Sequence, residues 1–215
     1  MADLIFYTHP QSRGQTVRWM LEEVGAPYED VILDYGSTMK AEPYLSINPM
    51  GKVPAIVHKG KVVTEVAAIC CYLADAFPDA GLAPPPADRA DYYRWIFFKA
   101  GPLESAFSNK SMGWEAPADK QVMMGYGNFE LTIDTLEKAV SAKPFIAGDR
   151  FTAADLLLGS TINFMLTFNL LESRPAFVEY ARRMTDRPAY HRAKEIDGKL
   201  IAEMEAQKAQ APQPA

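Results

Sequence analysis

A loop that leads into a short strand is encoded at residues 48–56, which read Asn48-Pro49-Met50-Gly51-Lys52-Val53-Pro54-Ala55-Ile56. Gly51 lies shortly before Pro54 in this loop, and Pro54 stands directly before the predicted strand. When nothing else is known, a prolyl bond is cis in only about 5% of cases. Two paired strands are predicted at residues 55–58 and 61–64, on either side of Lys59-Gly60, a tight-turn signal.

Strands and helices alternate on both sides of this loop. An apolar run at residues 4–7 predicts a buried strand, and a polar turn separates it from a helix that ends at Gly25. A second strand is predicted at residues 28–33, a short helix at about 39–46, and a longer helix from about residue 65. The resulting order, β-α-β-α-β-β-α, indicates an α/β domain whose sheet packs against helices.

A proline-rich segment, Gly81-Leu82-Ala83-Pro84-Pro85-Pro86, divides the chain. Consecutive prolines cannot continue a helix, and they form a stiff extended linker. We therefore predict a first domain at residues 1–80, a linker at 81–87 and an all-helical second domain at 88–215. The proline-containing tail from about residue 207 is expected to be frayed. The predicted helices of the second domain span residues 88–107, 118–141, 152–168, 175–186 and 188–206.

Two local signals bear on the helices of the second domain. Gly101-Pro102 is predicted to kink or break the first of them. Thr152 and Asp155 have the spacing of a capping box, in which Asp155 reaches back to the Thr152 amide. Because the helix that follows is apolar nearly all round, we expect it to be the buried central helix of the domain.

Composition limits the classes of function. The 215 residues are 48% hydrophobic and carry a net charge of −5, so the chain is an ordinary globular protein and a poor binder of nucleic acid or anionic membranes. No apolar run approaches the roughly 20 residues that span a bilayer, and the start lacks a secretory signal. The cysteines, Cys70 and Cys71, are adjacent, which disfavours a disulfide and offers no zinc spacing. We expect a cytoplasmic protein with no bound metal.

Four parts of the sequence together resemble the cytosolic glutathione S-transferases of bacteria. They are residues 6–13 with the helix start at 17–23, the loop and strand at 48–56, residues 64–69, and residues 150–155. They occur in the order and spacing of that family across most of the chain. The resemblance implies a thioredoxin-like N-terminal domain, an all-helical C-terminal domain, and a homodimer whose sites lie near its interface.

The resemblance also implies that the N-terminal domain binds glutathione as a co-substrate. A cis Pro54 would turn the backbone of Val53 toward the cysteinyl unit of glutathione; the alternative is an ordinary loop proline. The amide of Val66, at a helix N-terminus, would hold the γ-glutamyl carboxylate. The Glu65 side chain would face the ammonium group of the ligand, or would merely complement the helix dipole.

In one respect the sequence departs from the family. The glutamate at this position is usually followed by serine, and Val66 has no hydroxyl to offer. One hydrogen bond to a charged group is worth roughly 1.5–3 kcal/mol, so glutathione is expected to bind about tenfold or more weakly unless another group compensates. Lys52 and Lys40 are candidates for the glycyl carboxylate, although both also fit the pattern of solvated surface lysines.

Activation of the glutathione thiol requires a hydrogen-bond donor. A free thiol has a pKa of about 8.5, so only a few per cent is thiolate at neutral pH. The family lowers that pKa with a hydroxyl, aided by the N-terminus of the first helix. Ser12, in the turn after the first strand, is the preferred candidate, and Tyr7, at the end of that strand, is the alternative. The competing explanations are a turn serine and a core aromatic. No cysteine lies at this turn, so a protein-thiol mechanism is not expected.

The function implied by the resemblance is the conjugation of reduced glutathione to small hydrophobic electrophiles. The electrophile would occupy an apolar pocket of the helical domain, to which Phe107, Met112 and Trp114 are candidate contributors. Two other functions stay open. One is glutathione-dependent reduction of peroxides or disulfides. The other is binding of a ligand or partner without catalysis, which the valine at position 66 favours.

Overall fold

The computed structural model describes residues 3–210. The chain forms two compact units, one made of the residues up to Ala80 together with those from Arg187 onward, and the other of Gly81–Asp186. The first boundary lies at the proline-rich segment. The second differs from the predicted division, in which every residue after 87 belonged to the helical domain, because the last helix groups with the first unit.

A four-stranded mixed sheet forms the centre of the first unit. Its strands are β1 (Leu4–Thr8), β2 (Glu29–Ile32), β3 (Ala55–His58) and β4 (Lys61–Thr64). They lie in the order β2-β1-β3-β4, where β1 is parallel to β2 and antiparallel to β3, and β4 is antiparallel to β3. This sheet confirms the predicted thioredoxin-like arrangement of the N-terminal region.

Nine α-helices lie between residues 3 and 210. They are α1 (Gly14–Val24), α2 (Tyr44–Ile47), α3 (Val66–Ala76), α4 (Ala90–Phe98), α5 (Glu104–Ser111), α6 (Phe129–Ala142), α7 (Ala153–Thr167), α8 (Pro175–Thr185) and α9 (Pro188–Gln210). In the first unit, α1 packs against both α3 and α9. α1 ends at Gly25, whose φ of 67° closes the helix as the sequence predicts.

Side chains of β1 alternate between the two faces of the sheet. The Phe6 ring lies edge-on to Tyr28, and the guanidinium of Arg18 in α1 lies 5.2 Å from the centre of the Phe6 ring. On the opposite face, Tyr7 packs against a cluster of four buried residues, which are Leu33, Met39, Tyr44 and Ala55. The end of β1 is therefore held from both faces.

The last helix, α9, joins the first unit through its contacts with α1. Ala193 and Asp197 are buried on one face of α9, the ring of Tyr190 lies 5.0 Å from that of Trp19, and Arg187 is ion-paired with Glu23 at 2.6 Å. The helix continues to Gln210, so the first part of the predicted frayed tail is helical. The rest of that tail, residues 211–215, lies outside the described residues.

Two of the predicted helices of the second unit are interrupted. In the first, the regular α-helix gives way at Gly101-Pro102, as predicted, to a π-helical turn at Lys99–Leu103 that joins α4 to α5. The prediction of a helix from residue 118 is wrong in its first half. Residues 118–123 form a 3-10 turn and Gly127 has a φ of 69°, and α6 starts only after Asn128, whose side chain accepts the Leu131 amide at 2.8 Å.

The predicted capping box at the start of α7 is confirmed. Oδ2 of Asp155 accepts the amide and the hydroxyl of Thr152, both at 2.9 Å. Its Oδ1 accepts the Ile146 amide at 2.7 Å and the Tyr180 hydroxyl at 2.8 Å. These four bonds satisfy a fully buried carboxylate and tie α7 to α8. Within residues 3–210, no helix is long and apolar enough to cross a membrane.

Candidate functional site

Three of the sequence motifs leave the sheet at the same end. Tyr7 of β1 pairs with Ala55 of β3, and Ala55 pairs in turn with Thr64 of β4. The turn that follows β1, the loop that precedes β3 and the start of α3 after β4 therefore lie side by side at one edge of the sheet. The predicted catalytic and ligand-binding residues come from these three segments or from the end of β1, except for Lys40, which lies in a 3-10 turn between β2 and α2.

Ser12 lies half-buried in the turn between β1 and α1. Its hydroxyl donates a hydrogen bond to the carbonyl of His9 at 2.7 Å and accepts the amide of Gly14 at 2.9 Å. Gly14 is required here because a Cβ would collide with the Thr8 hydroxyl and lie 2.9 Å from Ser12 Oγ. The serine is therefore fixed at the start of α1, and its proton is directed toward the protein.

Gln15, in the first helical turn of α1, stabilises the turn that contains Ser12. Its Nε2 donates to the carbonyl of Pro10 at 2.5 Å, and its Oε1 accepts from Nζ of Lys194 in α9 at 3.1 Å. One side chain therefore connects the Ser12 turn to the C-terminal helix. The sequence offers no signal for this contact, since it joins residues that are 179 positions apart.

His9 and Tyr35 form a ring pair at the same turn, with centroids 4.5 Å apart. Nδ1 of His9 accepts the Gln11 amide at 3.2 Å, and the Tyr35 hydroxyl donates to the Gln11 carbonyl, also at 3.2 Å. Burial lowers the pKa of His9, so its ring is neutral at neutral pH. The sequence does not predict Tyr35 as a site residue, because an aromatic residue in the polar segment after β2 does not indicate which part of the chain it contacts.

Tyr7 lies at the end of β1 with its ring half-buried. The ring packs 5.5 Å from that of Tyr44 and belongs to the layer on the α2 side of the sheet. This position serves the core, as expected for a strand aromatic, and Tyr7 remains an alternative to Ser12 as the hydroxyl donor.

The loop before β3 presents its backbone at the sheet edge. The Val53-Pro54 bond is cis, as predicted. The carbonyl of Lys52 accepts the Tyr44 hydroxyl at 2.5 Å and Nδ2 of Asn48 at 2.8 Å. Among the described residues, no hydrogen bond engages the backbone N–H or C=O of Val53. Those two groups are therefore available to pair with an extended ligand.

The two candidate lysines have different surroundings. Nζ of Lys40 donates to the carbonyls of Gly51 and Met50 at 2.6 and 3.2 Å. A Cβ on Gly51, whose φ is 56°, would lie 2.8 Å from the Met39 carbonyl, so the chain passes closely here. Lys40 therefore holds this loop in place. The Lys52 side chain is exposed, and Lys52 remains the candidate for binding an anion.

Glu65 and Val66 form the start of α3. Glu65 has a φ of 67° and a ψ of 121°, which is a strained conformation for a residue with a side chain and often marks a functional position. The Glu65 carbonyl accepts the Ile69 amide at 2.8 Å, so the amides of Val66, Ala67 and Ala68 precede the first bond within the helix. Such amides and the helix dipole suit a carboxylate.

The predicted pocket residues lie in the second unit. Phe107 is buried in α5, and its ring contacts that of Phe164 at 6.2 Å. Met112 is 83% exposed and Trp114 48% exposed. Trp114 lines a cavity of about 70 Å³ between the end of α5 and the start of α6. Phe107 thus belongs to the core, whereas Met112 and Trp114 offer apolar surface.

Comparisons with known proteins agree with this architecture. The chain matches the family model of the glutathione S-transferase N-terminal domain at residues 2–75 and that of the C-terminal domain at residues 120–188. Glutathione S-transferase GST-4.5 of Xanthomonas campestris is 31% identical over 74% of this chain and 80% of its own length. An uncharacterized GST-like protein of Streptococcus mutans is 29% identical over 91% of this chain and 82% of its own length.

Solved structures agree as well. A sphingomonad glutathione S-transferase in complex with glutathione superposes with a TM-score of 0.74 at 28% identity, over 90% of this chain and 98% of that one. The two family models lie on either side of the proline-rich boundary, and the matches that cover 90% or more of this chain extend over both units. The chain therefore belongs to the glutathione S-transferase family.

Proposed function

We propose that this chain is a transferase that binds reduced glutathione at the shared edge of β1, β3 and β4 and conjugates it to small hydrophobic electrophiles. The observation that carries the proposal is the strand register from Tyr7 through Ala55 to Thr64. It brings the Ser12 turn, the open backbone of Val53 and the free amides of α3 to one edge. The glutathione complex of the sphingomonad relative supports the choice of ligand.

Each polar group of glutathione has a suitable counterpart among the groups at this edge. The amides at the start of α3 suit the γ-glutamyl carboxylate, and the exposed Glu65 suits the neighbouring ammonium group. The backbone N–H and C=O of Val53 suit the backbone C=O and N–H of the extended cysteinyl unit. The exposed Lys52 suits the glycyl carboxylate. This arrangement leaves the thiol directed toward the turn after β1.

In the proposed reaction, the thiol releases its proton to solvent and the thiolate forms a bond to an electrophilic carbon. With an aryl halide, the halide departs with the electrons of its former bond to that carbon. With an enone, the π electrons move to the carbonyl oxygen, and a proton from solvent completes the addition. Lowering the thiol pKa by about two units requires about 2.7 kcal/mol of preferential stabilisation of the thiolate. Ser12 is the proposed donor, and its hydroxyl must turn away from the His9 carbonyl in order to serve.

A second candidate function is ligand binding without catalysis. Val66 favours it, because this residue provides no hydroxyl beside the α3 amides. The Streptococcus mutans relative, named only as GST-like, is compatible with either function. In both cases a homodimer, as the resemblance implies, is our expectation for the assembly, and sedimentation of the purified chain would test it.

Isothermal titration with reduced glutathione tests the proposal, with S-methylglutathione as the control ligand that keeps every group except the free thiol. We expect both ligands to bind at micromolar to low-millimolar concentration. Product formation with aryl halide and enone electrophiles would then support conjugation. Turnover with hydroperoxides alone would favour reduction instead. Binding without any turnover would favour the non-catalytic function, and no binding of either ligand would contradict the proposal.

A further inference from the structure

The turn after β1 carries a second hydroxyl besides that of Ser12. Tyr35 is 51% exposed, yet it is anchored at two points on this turn. Its ring lies 4.5 Å from the ring of His9, and its hydroxyl donates to the Gln11 carbonyl at 3.2 Å. The residue that bears this carbonyl immediately precedes Ser12. An exposed aromatic fixed in this way holds a phenol at the turn toward which the proposed thiol is directed.

The hydrogen bonds of Ser12 leave it poorly prepared to act alone. A serine hydroxyl has one proton and two lone pairs. The proton is given to the His9 carbonyl at 2.7 Å, and one lone pair takes the Gly14 amide at 2.9 Å. A Ser12 that donates to a thiolate must give up the shorter of these bonds. The Tyr35 hydroxyl donates to the Gln11 carbonyl over a longer distance, 3.2 Å, so its proton is more easily redirected.

The phenol of Tyr35 also keeps its proton at neutral pH. Burial raises the pKa of Tyr35, and a hydrogen bond with the Ser12 side chain acts in the opposite direction. Both hydroxyls lie at the same turn, because Tyr35 bonds to the carbonyl of the residue before Ser12, and the phenol is the more acidic type of donor. A more acidic O–H makes a stronger hydrogen bond to an anion.

We infer that Tyr35 is a further catalytic residue, whose phenol donates a hydrogen bond to the sulfur of glutathione as the thiolate forms at the β1–α1 turn. This inference rests on the proposed function. The thiol proton leaves to solvent, and Tyr35 retains its own proton throughout. Ser12 then acts beside Tyr35, either as a second donor or by holding the turn through His9 and Gly14.

The test compares Tyr35→Phe with the unaltered protein and with Tyr28→Phe. Tyr28 is a matched control in the same unit, because its hydroxyl bonds only to Arg18 and Glu22 among the described residues. The thiolate absorbance of bound glutathione is titrated against pH for each protein, and conjugation is measured over the same range. Urea denaturation confirms that each variant is folded, as expected for a residue exposed like Tyr35.

We expect Tyr35→Phe to raise the pKa of the bound thiol by about one unit or more. Its kcat/KM at neutral pH should fall about tenfold and recover above the new pKa, whereas Tyr28→Phe should follow the unaltered protein. If the unaltered protein lowers the pKa of the bound thiol and Tyr35→Phe lowers it equally, the inference is overturned. The proposed function then still stands. If the unaltered protein itself binds no glutathione, the proposed function fails and the inference fails with it.

Discussion

Arg18 of α1 and Asp197 of α9 form a buried ion pair across 179 positions of sequence. Nε of Arg18 donates to Oδ1 of Asp197 over 2.7 Å, and their side chains are 1% and 3% exposed. The guanidinium also donates to the Tyr28 hydroxyl at 3.1 Å. The guanidinium is also ion-paired with Asp30 at 2.9 Å. The pair with Asp197 explains why the last helix belongs with the first unit, because the buried carboxylate on α9 requires the charge of Arg18.

Asp197→Ala should therefore be strongly destabilising. It would leave the buried Arg18 with the partly exposed Asp30 as its remaining carboxylate partner, and breaking a buried pair typically costs about 3–5 kcal/mol of unfolding free energy. Urea denaturation measures the loss. Glu195→Ala is the matched control on the same helix, since it removes only an exposed pair with Lys199 and should change stability little. Equal midpoints for the two variants would contradict the assigned role of the pair.

Gln15 is expected to position the Ser12 turn. Gln15→Glu keeps an acceptor for Lys194 but replaces the donor to the Pro10 carbonyl with an oxygen. We predict a severalfold lower kcat with nearly unchanged glutathione affinity, because the turn is displaced while the other binding groups are intact. Lys194→Met, which removes only the exposed outer partner, should have a smaller effect. A loss of glutathione affinity alone would show that Gln15 does not act through the turn.

Much of the fold follows from local sequence, and much of the site does not. The β3–β4 hairpin and the capping box of Asp155 depend on residues close together in the chain. The start of α6 was mispredicted because an apolar pattern continues through Gly127, while backbone geometry and the Asn128 cap decide the boundary. The contacts of Tyr35 with the turn and of α9 with α1 are tertiary. An amphipathic pattern shows which face of a helix is apolar, but it does not show which element that face packs against.

Ser12→Ala should separate the two hydroxyl donors proposed from the sequence. We expect turnover to fall roughly tenfold or more with glutathione binding nearly intact, as for a group that acts mainly in the transition state. Tyr7→Phe should have little effect on turnover, because the Tyr7 ring packs with the core layer at Tyr44. Steady-state kinetics and titration of both variants provide the measurement. The opposite ranking would assign the donor role to Tyr7.

The buried His9 predicts a stability that depends on pH. Because burial lowers the pKa of His9 below its ordinary value, the unfolded chain takes up a proton at higher pH than the folded chain does. The contribution of His9 to the free energy of unfolding should therefore be complete above about pH 6.5, the pKa of an unfolded histidine. It should be lost as the pH falls from there toward the lower pKa of the folded state. His9→Asn removes this titration and should flatten the dependence in urea denaturation. An unaltered slope would assign the effect to other groups, including His58, whose pKa burial also lowers.

Val66→Ser tests whether the start of α3 holds the γ-glutamyl carboxylate. The amides of Val66, Ala67 and Ala68 precede the first intrahelical bond, so a hydroxyl at position 66 would add a donor beside amides that already suit an anion. One added hydrogen bond to a charged group predicts about tenfold tighter binding of glutathione. Val66→Thr keeps the branched shape of valine and also adds a hydroxyl, so it should give a similar gain. Val66→Ala adds no hydroxyl and should give none. If all three variants bind as the unaltered protein does, the carboxylate is held elsewhere, and the strained backbone of Glu65 then needs another explanation.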